Sequence, residues 1–203
     1  MGKLGCHRIL EGMANPGTAA EHVVSFYRDE ACIVDQVTAF IREGLAENEQ
    51  VVAMATLSHW SAIAARLEQT GVNHGRAVAE GNLIVMDAEE LFELIRVDGK
   101  ISVDRFRELL TPLLASGRKT RVFGEVVSLL AERGEVETAI AIEALGQEMG
   151  HTLGIRILCG YQVHPALTPF MVRRIEGLHD SSLFEPAGRP SRLGPPTLSV
   201  RDA

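Results

Sequence analysis

Five short apolar segments, each followed by a segment with helical periodicity, are the feature of this 203-residue sequence that most constrains its fold. The predicted strands cover residues 22–27, 50–56, 82–86, 120–123 and 155–160. In the segments between them, apolar residues recur at helical spacing. Parallel strands need crossover connections of about this length, and helices usually supply them. The alternation therefore predicts an α/β fold, a three-layer sandwich with a mainly parallel central sheet between two layers of helices.

Capping and breaking residues predict where the helices begin and end. Gly44 is placed to end the first helix, and Ser58 can cap the second. Residues 72–81 are predicted to form a turn-rich link. Pro112 should kink or split the helix in which it lies, and a break is expected at residues 133–134.

Composition predicts one globular domain over residues 21–185, with an N-terminal extension over residues 1–20 and a flexible C-terminal tail over residues 186–203. Hydrophobic residues make up 46% and charged residues 23%, as in a soluble protein, and no apolar run approaches the roughly 18–20 residues of a membrane span. The three cysteines lie far apart, and the first 21 residues lack a secretory signal. We therefore expect a cytoplasmic protein with reduced thiols and no membrane contact.

The charge balance argues against direct nucleic-acid binding. The formal net charge is −7, the basic residues are dispersed, and only three lysines occur. A nucleic-acid surface needs clustered cations that displace counterions from phosphate.

Polar and aromatic residues follow the predicted strands at the point where each strand ends. Ligands of open parallel sheets gather outside these carboxyl ends. The candidate ligand-binding residues found this way are Tyr27, Arg28, Thr56, His59, Glu125 and Tyr161. Caps such as Ser58 have a purely structural role, and for Glu125 a salt bridge to Arg121 is favoured over ligand contact.

The first strand-to-helix turn lacks the residues of a phosphate-binding loop. Residues 27–30 contain no glycine and no lysine, although backbone amides and a lysine are what grip the phosphates. The nearest match to a Gly-Lys-Thr signature, at residues 116–120, lies between a helix and a strand, the reverse of the required order. ATP hydrolysis by the usual loop is therefore not expected.

No catalytic residue, metal site or cofactor is predicted. Seven histidines are scattered along the chain, so a metal enzyme is not indicated. Cys159 and His164 could meet a metal together with His22 or His59, but their spacings match no recognisable zinc site. Cys159 is interpreted as a buried core residue. A hydrolase that uses His22 or His59 is a minor alternative to a non-enzymatic protein.

Residues 22–56, 81–92, 121–149 and 157–161, in this order and spacing, resemble the MEDS sensory domain of methanogens, methylotrophs and DcmR-type regulators. This resemblance covers residues 22 to about 184 and implies a RecA/KaiC-like fold without a Walker A loop. It also implies a small-molecule sensory role, with one-carbon or hydrocarbon derivatives as the ligands.

The family-like positions are His22, Phe26, Tyr27, Arg121, Gly124, Glu125, Glu143, Cys159 and Tyr161. The resemblance thereby adds His22 and Arg121 to the candidate ligand-binding residues. Residues 162–165 depart from the pattern that often follows the final tyrosine in the family. Family members are commonly fused to a DNA-binding or histidine-kinase module. Neither module is expected in this sequence, so the expected output is a regulatory protein partner, the tail or a homo-oligomer.

The leading hypothesis is a cytoplasmic regulator that binds a small molecule at the carboxyl edge of the sheet. One alternative is a protein-interaction module, such as a regulator of a sigma factor or a kinase, without a small-molecule ligand. Another is a residual nucleotide binder. An open pocket at the strand ends would favour sensing, and an edge filled by the protein's own side chains would favour the interaction module.

Overall fold

A computed structural model describes residues 20–114 and 117–184. Its centre is a parallel sheet of six strands in the order β3-β2-β6-β7-β1-β8, and β4 and β5 form a small antiparallel hairpin. The strands are β1 (Glu21–Tyr27), β2 (Gln50–Ala55), β3 (Leu83–Asp87), β4 (Arg96–Val97), β5 (Lys100–Ile101), β6 (Thr120–Gly124), β7 (Arg156–Gln162) and β8 (Ser181–Phe184).

Eight helices in the described residues form one layer on each face of the sheet. They are α1 (Glu30–Ala46), α2 (Leu57–Gln69), α3 (His74–Ala79), α4 (Ala88–Leu94), α5 (Val103–Leu114), α6 (Val126–Glu132), α7 (Val136–Leu153) and α8 (Pro169–Glu176). Helices α1 to α3 contribute to one apolar core and α4 to α8 to the other. The predicted α/β three-layer sandwich with a parallel sheet is confirmed.

Alternate residues of each strand enter the two cores, as the pleat of a strand requires. In β1, Val24 and Phe26 pack in the core beneath α4 to α8, whereas Val23 and Tyr27 pack beneath α1 to α3. All six residues of β2 are buried. A strand covered on both faces has no polar side, which explains why β2 is a continuous run of mostly small apolar residues.

Two predicted helix boundaries are wrong. Helix α1 continues past Gly44 to Ala46, and Gly44 is a buried interior residue. A Cβ there would lie 2.8 Å from Cγ2 of Val51 and 3.0 Å from Cδ of Arg121, so glycine permits close packing and does not end the helix. The cap of α2 is Thr56, two residues before Ser58.

Some of the other local predictions are confirmed and others are not. The break at residues 133–134 is confirmed, because α6 ends at Glu132 and Gly134 has a φ of 79°. The turn-rich link contains the short helix α3. Helix α5 is not split at Pro112, since the missing N–H removes only one backbone hydrogen bond near the helix end. Strand β8 was not predicted.

Apart from Ala20, the predicted N-terminal extension and C-terminal tail lie outside the described residues. None of the helices within residues 20–114 and 117–184 combines the length and apolar character needed to cross a membrane.

Candidate functional site

Four of the predicted ligand-binding residues meet at the carboxyl ends of β1, β2 and β6. We call Tyr27, Thr56, His59 and Glu125 the strand-end cluster. Glu125 lies at its centre, where Oε1 accepts a hydrogen bond from the backbone N–H of Thr56 at 2.9 Å and Oε2 accepts one from Nδ1 of His59 at 2.6 Å. The rings of Tyr27 and His59 are 6.0 Å apart at 70°. The preference for a Glu125–Arg121 salt bridge is therefore wrong, because Glu125 binds other partners.

Negative charge governs the electrostatics of the strand-end cluster. The hydrogen bond to Glu125 raises the pKa of His59 against the opposing effect of burial. Burial, followed by the charges of Glu125, Glu132 and Glu30, raises the pKa of the Tyr27 phenol. The protein's own side chains thus occupy these strand ends, although an open groove of about 420 Å³ between α1 and α2 reaches His59.

The turn from β1 into α1 contains Arg28, another predicted ligand-binding residue, and has no glycine or lysine. Oδ1 of Asp29 accepts a hydrogen bond from the backbone N–H of Ala31 at 2.9 Å, and Glu30 follows in the first helical turn. These carboxylates lie at the helix N-terminus, where a nucleotide enzyme holds its phosphate.

Arg121 is not part of the strand-end cluster. It is buried near the amino end of β6, where Nε pairs with Glu49, Nη1 lies 3.2 Å from Glu43, and Nη2 lies 2.9 Å from Glu47. Its guanidinium also lies 5.4 Å from the centroid of the Phe40 ring. These contacts give Arg121 a structural role that joins α1 to the sheet.

A second group of polar side chains lies on the opposite face of the sheet. We call His22 of β1, Glu143 of α7, Cys159 of β7 and His179 of the segment after α8 the inner cluster. Three atoms surround Oε2 of Glu143: Nε2 of His22 at 3.2 Å, Sγ of Cys159 at 3.2 Å and Nε2 of His179 at 3.3 Å. The two histidine rings are 3.9 Å apart. The expectation that the histidines do not cluster is wrong for this pair.

The pKa values of the inner cluster reflect deep burial and close charges. Burial opposes ionisation of Glu143, but the close contacts with His179 and His22 and their charges outweigh it and hold the pKa of Glu143 well below its ordinary value. The same contact with Glu143 raises the pKa of His179 against the effect of burial. Burial and the Glu143 carboxylate raise the pKa of the Cys159 thiol.

Three buried polar atoms in and beside the inner cluster have no hydrogen bond within the described structure. They are Oε1 of Glu143, Nε2 of His179 and the hydroxyl of Tyr161. Tyr161, which was predicted at a strand end, is instead fully buried in the core beneath α4 to α8. Since almost all buried polar groups in proteins are satisfied, orphaned atoms at one place indicate a missing partner.

An apolar cavity adjoins the inner cluster. It has a volume of about 50 Å³ and lies between the sheet and α5, α6 and α7. Its polar wall is formed by His22, Glu143 and Cys159. Its other lining residues are Met54, Phe106, Leu110, Leu114, Val122, Gly124, Val126, Val127, Ile142, Leu145, Gly146, Met149 and Ile157.

Comparison with known proteins assigns most of the chain to a family. The family model described as the methanogen/methylotroph, DcmR sensory domain, MEDS, matches residues 21–180, most of the chain. The chain belongs to the MEDS family. The predicted resemblance is thus confirmed, and with it membership of a family of sensory domains.

Solved structures support the fold of this MEDS domain. A KaiC-like protein from the hyperthermophilic archaeon Pyrococcus horikoshii OT3 superimposes with a TM-score of 0.57 at 13% sequence identity. The match covers 82% of this chain and 71% of the archaeal chain. At this identity the likeness shows a shared RecA-like fold alone. A search of curated proteins finds no match to this chain.

Sequence reasoning took six candidate residues of this MEDS domain from the carboxyl edge of the sheet and added His22 and Arg121 by resemblance, and the structure divides the eight among three places. The strand-end cluster unites four of them, Arg121 lies at the amino end of the sheet, and His22 and Tyr161 belong to the other face. His179 was missed altogether, because nothing local distinguishes it from an exposed loop histidine. A signal for Glu143 was present, since a carboxylate among the apolar residues of α7 is unusual.

Proposed function

We propose that this MEDS domain is a ligand-responsive regulator that binds a one-carbon compound or a similarly small hydrocarbon derivative in the apolar cavity. The observation that carries the proposal is the apolar cavity of about 50 Å³ with a polar wall at the inner cluster. A cavity of about 150 Å³ accepts benzene, so this one suits a ligand of roughly one to three non-hydrogen atoms. The proposed role is recognition without a chemical reaction.

The polar wall gives the cavity selectivity beyond size. A purely apolar ligand would contact only the aliphatic and aromatic side chains of the other walls. A ligand with one hydroxyl or one halogen could also approach His22, Glu143 and Cys159. An apolar pocket with a small number of convergent polar groups is typical of sites that orient small ligands.

Signal output would follow from the elements that form the cavity walls. Helices α5, α6 and α7 line it from one side, and Arg107 of α5 pairs with Glu148 of α7 at 3.2 Å. A ligand that binds one arrangement of these helices more tightly shifts the population toward that arrangement. A cytoplasmic regulatory protein, or a second copy of the chain, could then recognise the new helix positions without contacting nucleic acid or a membrane.

Replacing Gly146 with alanine tests the cavity as the ligand site. The new Cβ would lie 3.5 Å from Cε1 of His22 and 3.9 Å from Cδ1 of Ile157, which are ordinary contacts on two cavity walls. The methyl group would therefore occupy ligand space without a clash. Binding of xenon, methanol and chloromethanes, measured by NMR and by thermal shift, should weaken at least tenfold in Gly146→Ala. Stability should hold or rise by up to about 1 kcal/mol, as for other helical Gly→Ala changes.

Gly75→Ala in α3 is the matched control, because its Cβ would meet only Oδ1 of Asn73 at 3.7 Å and it does not line the cavity. This variant should keep the ligand response of the wild-type protein. Equal binding of the probes by wild-type protein and Gly146→Ala would contradict the assignment of the cavity.

A protein-interaction module without a small ligand is the second candidate, and it is favoured because the protein's own side chains fill the strand-end cluster. Glu125 is already bound by Thr56 and His59, and Tyr27 is buried. If none of the small probes binds the wild-type protein, while a regulatory protein binds its surface with 1:1 stoichiometry, this second function replaces the first.

A further inference from the structure

We propose that the inner cluster is a binding site for a divalent transition-metal ion, with zinc as the best-suited ion. Its four ligands would be Nε2 of His22, a carboxylate oxygen of Glu143, Sγ of Cys159 and Nε2 of His179. In the described chain these four residues form a group whose ligand atoms all lie within 4.8 Å of one another. This inference stands on the geometry of the cluster and does not depend on the ligand proposed for the cavity.

Four of the six distances between the ligand atoms are close to the edges of a zinc tetrahedron. The spacings to Oε2 of Glu143 are 3.2–3.3 Å, and Nε2 of His22 lies 3.4 Å from Sγ of Cys159. With zinc–ligand bonds of about 2.0–2.3 Å, the edges of a tetrahedron are about 3.3–3.8 Å. The other two distances, from Nε2 of His179 to Nε2 of His22 and to Sγ of Cys159, are at most 4.8 Å, so an ion at the centre requires the His179 ring to move by up to about 1 Å.

Backbone carbonyls fix both imidazoles in the tautomer that a metal ligand needs. Nδ1 of His22 lies 3.1 Å from the carbonyl oxygen of Leu178, and Nδ1 of His179 lies 2.7 Å from the carbonyl oxygen of Ile175. A carbonyl oxygen can only accept, so each Nδ1 carries the proton. In each neutral ring the lone pair is then on Nε2, the atom that points to Glu143. Metal-binding histidines are commonly held by such a bond from the other ring nitrogen.

The charge of the complete site suits its burial. Two neutral imidazoles, one carboxylate and one thiolate around a divalent cation give a net charge of zero. His22 and Glu143 are each 1% exposed and Cys159 is 6% exposed, and an isolated charge is costly at such positions. When the ion binds, the thiol proton of Cys159 leaves to solvent, and so does the Nε2 proton of each imidazole that is protonated, as metal coordination requires.

The ligands come from β1, α7, β7 and the segment between α8 and β8. An ion would therefore join the end of the described chain to the centre of the sheet. It would also fix three residues of the cavity's polar wall, because His22, Glu143 and Cys159 line both places. The spacing of these residues along the sequence matches no zinc motif. They are brought together by the order of the strands and by the packing of α7 on the sheet.

Cobalt titration of the full-length, reduced and chelator-treated protein tests the site. Co²⁺ should bind with 1:1 stoichiometry and produce a thiolate-to-cobalt charge-transfer band, and zinc should displace it and raise the melting temperature. Cys159→Ser should abolish the band. His179→Gln should bind Co²⁺ at least tenfold more weakly, because it removes one of four ligands.

Cys32→Ser is the matched control, because Cys32 is also buried but belongs to α1, where its Sγ accepts a hydrogen bond from Nε2 of Gln36. It should retain the cobalt band at wild-type strength. X-ray absorption of the wild-type zinc protein should show one sulfur and three nitrogen or oxygen neighbours, a result that requires no variant to fold. Absence of 1:1 binding in the wild-type protein, or a band that survives in Cys159→Ser, would overturn the proposal.

Discussion

At the scale of single residues, the chemistry of a side chain in this MEDS domain follows from its neighbours. The side chains of His59 and His179 are both buried, and a glutamate raises the pKa of each. His59 donates to Glu125 through Nδ1, whereas His179 presents Nε2 to Glu143 and donates Nδ1 to a backbone carbonyl. The first arrangement is a hydrogen-bonded pair, and the second is suited to a metal ligand.

The His59–Glu125 pair predicts a pH-dependent contribution to stability. Because the folded protein raises the pKa of His59, the stabilisation is fully present below the unfolded value of about 6.5 and is lost as pH rises through the folded value. The loss of unfolding free energy in His59→Gln should therefore be larger at about pH 6 than at about pH 9. Chemical denaturation at the two pH values measures it.

The same His59→Gln change made in a Glu125→Gln background is the control. There the neutral partner no longer favours the imidazolium, so most of the difference between the two pH values should disappear. A cost of His59→Gln that increases with pH would show that the pair does not stabilise the charged histidine.

At the scale of elements, α1 is held against the sheet by a close approach and by a buried ion network. Gly44 lets the helix backbone approach Val51 of β2 and the side chain of Arg121 from β6. Arg121 in turn binds the carboxylates of Glu43 and Glu47 at the end of α1. Packing and ion pairs thus secure the same end of the helix.

Gly44→Ala tests this packing. Its Cβ would lie 2.8 Å from Cγ2 of Val51 and 3.0 Å from Cδ of Arg121, so α1 must move away from the sheet. We expect a loss of about 1–3 kcal/mol in unfolding free energy, typical of overpacking in a core, despite the better helix propensity of alanine. Urea denaturation measures the change.

Gly75→Ala again serves as the comparison, because it adds a methyl group to a helix where the nearest heavy atom is 3.7 Å away. It should be neutral or stabilising by up to about 1 kcal/mol. If the two variants lost stability equally, the tight contact at Gly44 would not be the cause.

At the scale of the whole molecule, the domain combines a RecA-like architecture with a first strand-to-helix turn that lacks the residues of a phosphate-binding loop. The KaiC-like neighbour shares the fold at 13% identity. In this chain Asp29 caps α1 and Glu30 follows it, so carboxylates lie at the helix N-terminus that would otherwise attract phosphate. The apolar cavity lies on the other side of the sheet, beneath α5 to α7.

This arrangement predicts different thermal responses to two classes of ligand. Mg-ATP should leave the melting temperature unchanged, because no glycine-rich turn or lysine follows β1. A small molecule that fits the cavity should stabilise the native state by about 2.7 kcal/mol at a free concentration one hundred times its dissociation constant. Differential scanning fluorimetry measures both. Saturable stabilisation by Mg-ATP would restore the residual nucleotide binder as the leading function.

The sequence by itself determined the alternating strands and helices, the break before α7 and the missing phosphate loop, because periodicity, capping and turn chemistry are local properties. Helix α3 and strand β8 escaped prediction, since their short segments carry weak local signals. Only the tertiary structure decided which polar residues meet. The sheet order places β1 between β7 and β8, and this brings His22, Cys159 and His179 together from distant parts of the chain. Contacts of that kind depend on strand neighbours, which no local pattern of residues specifies.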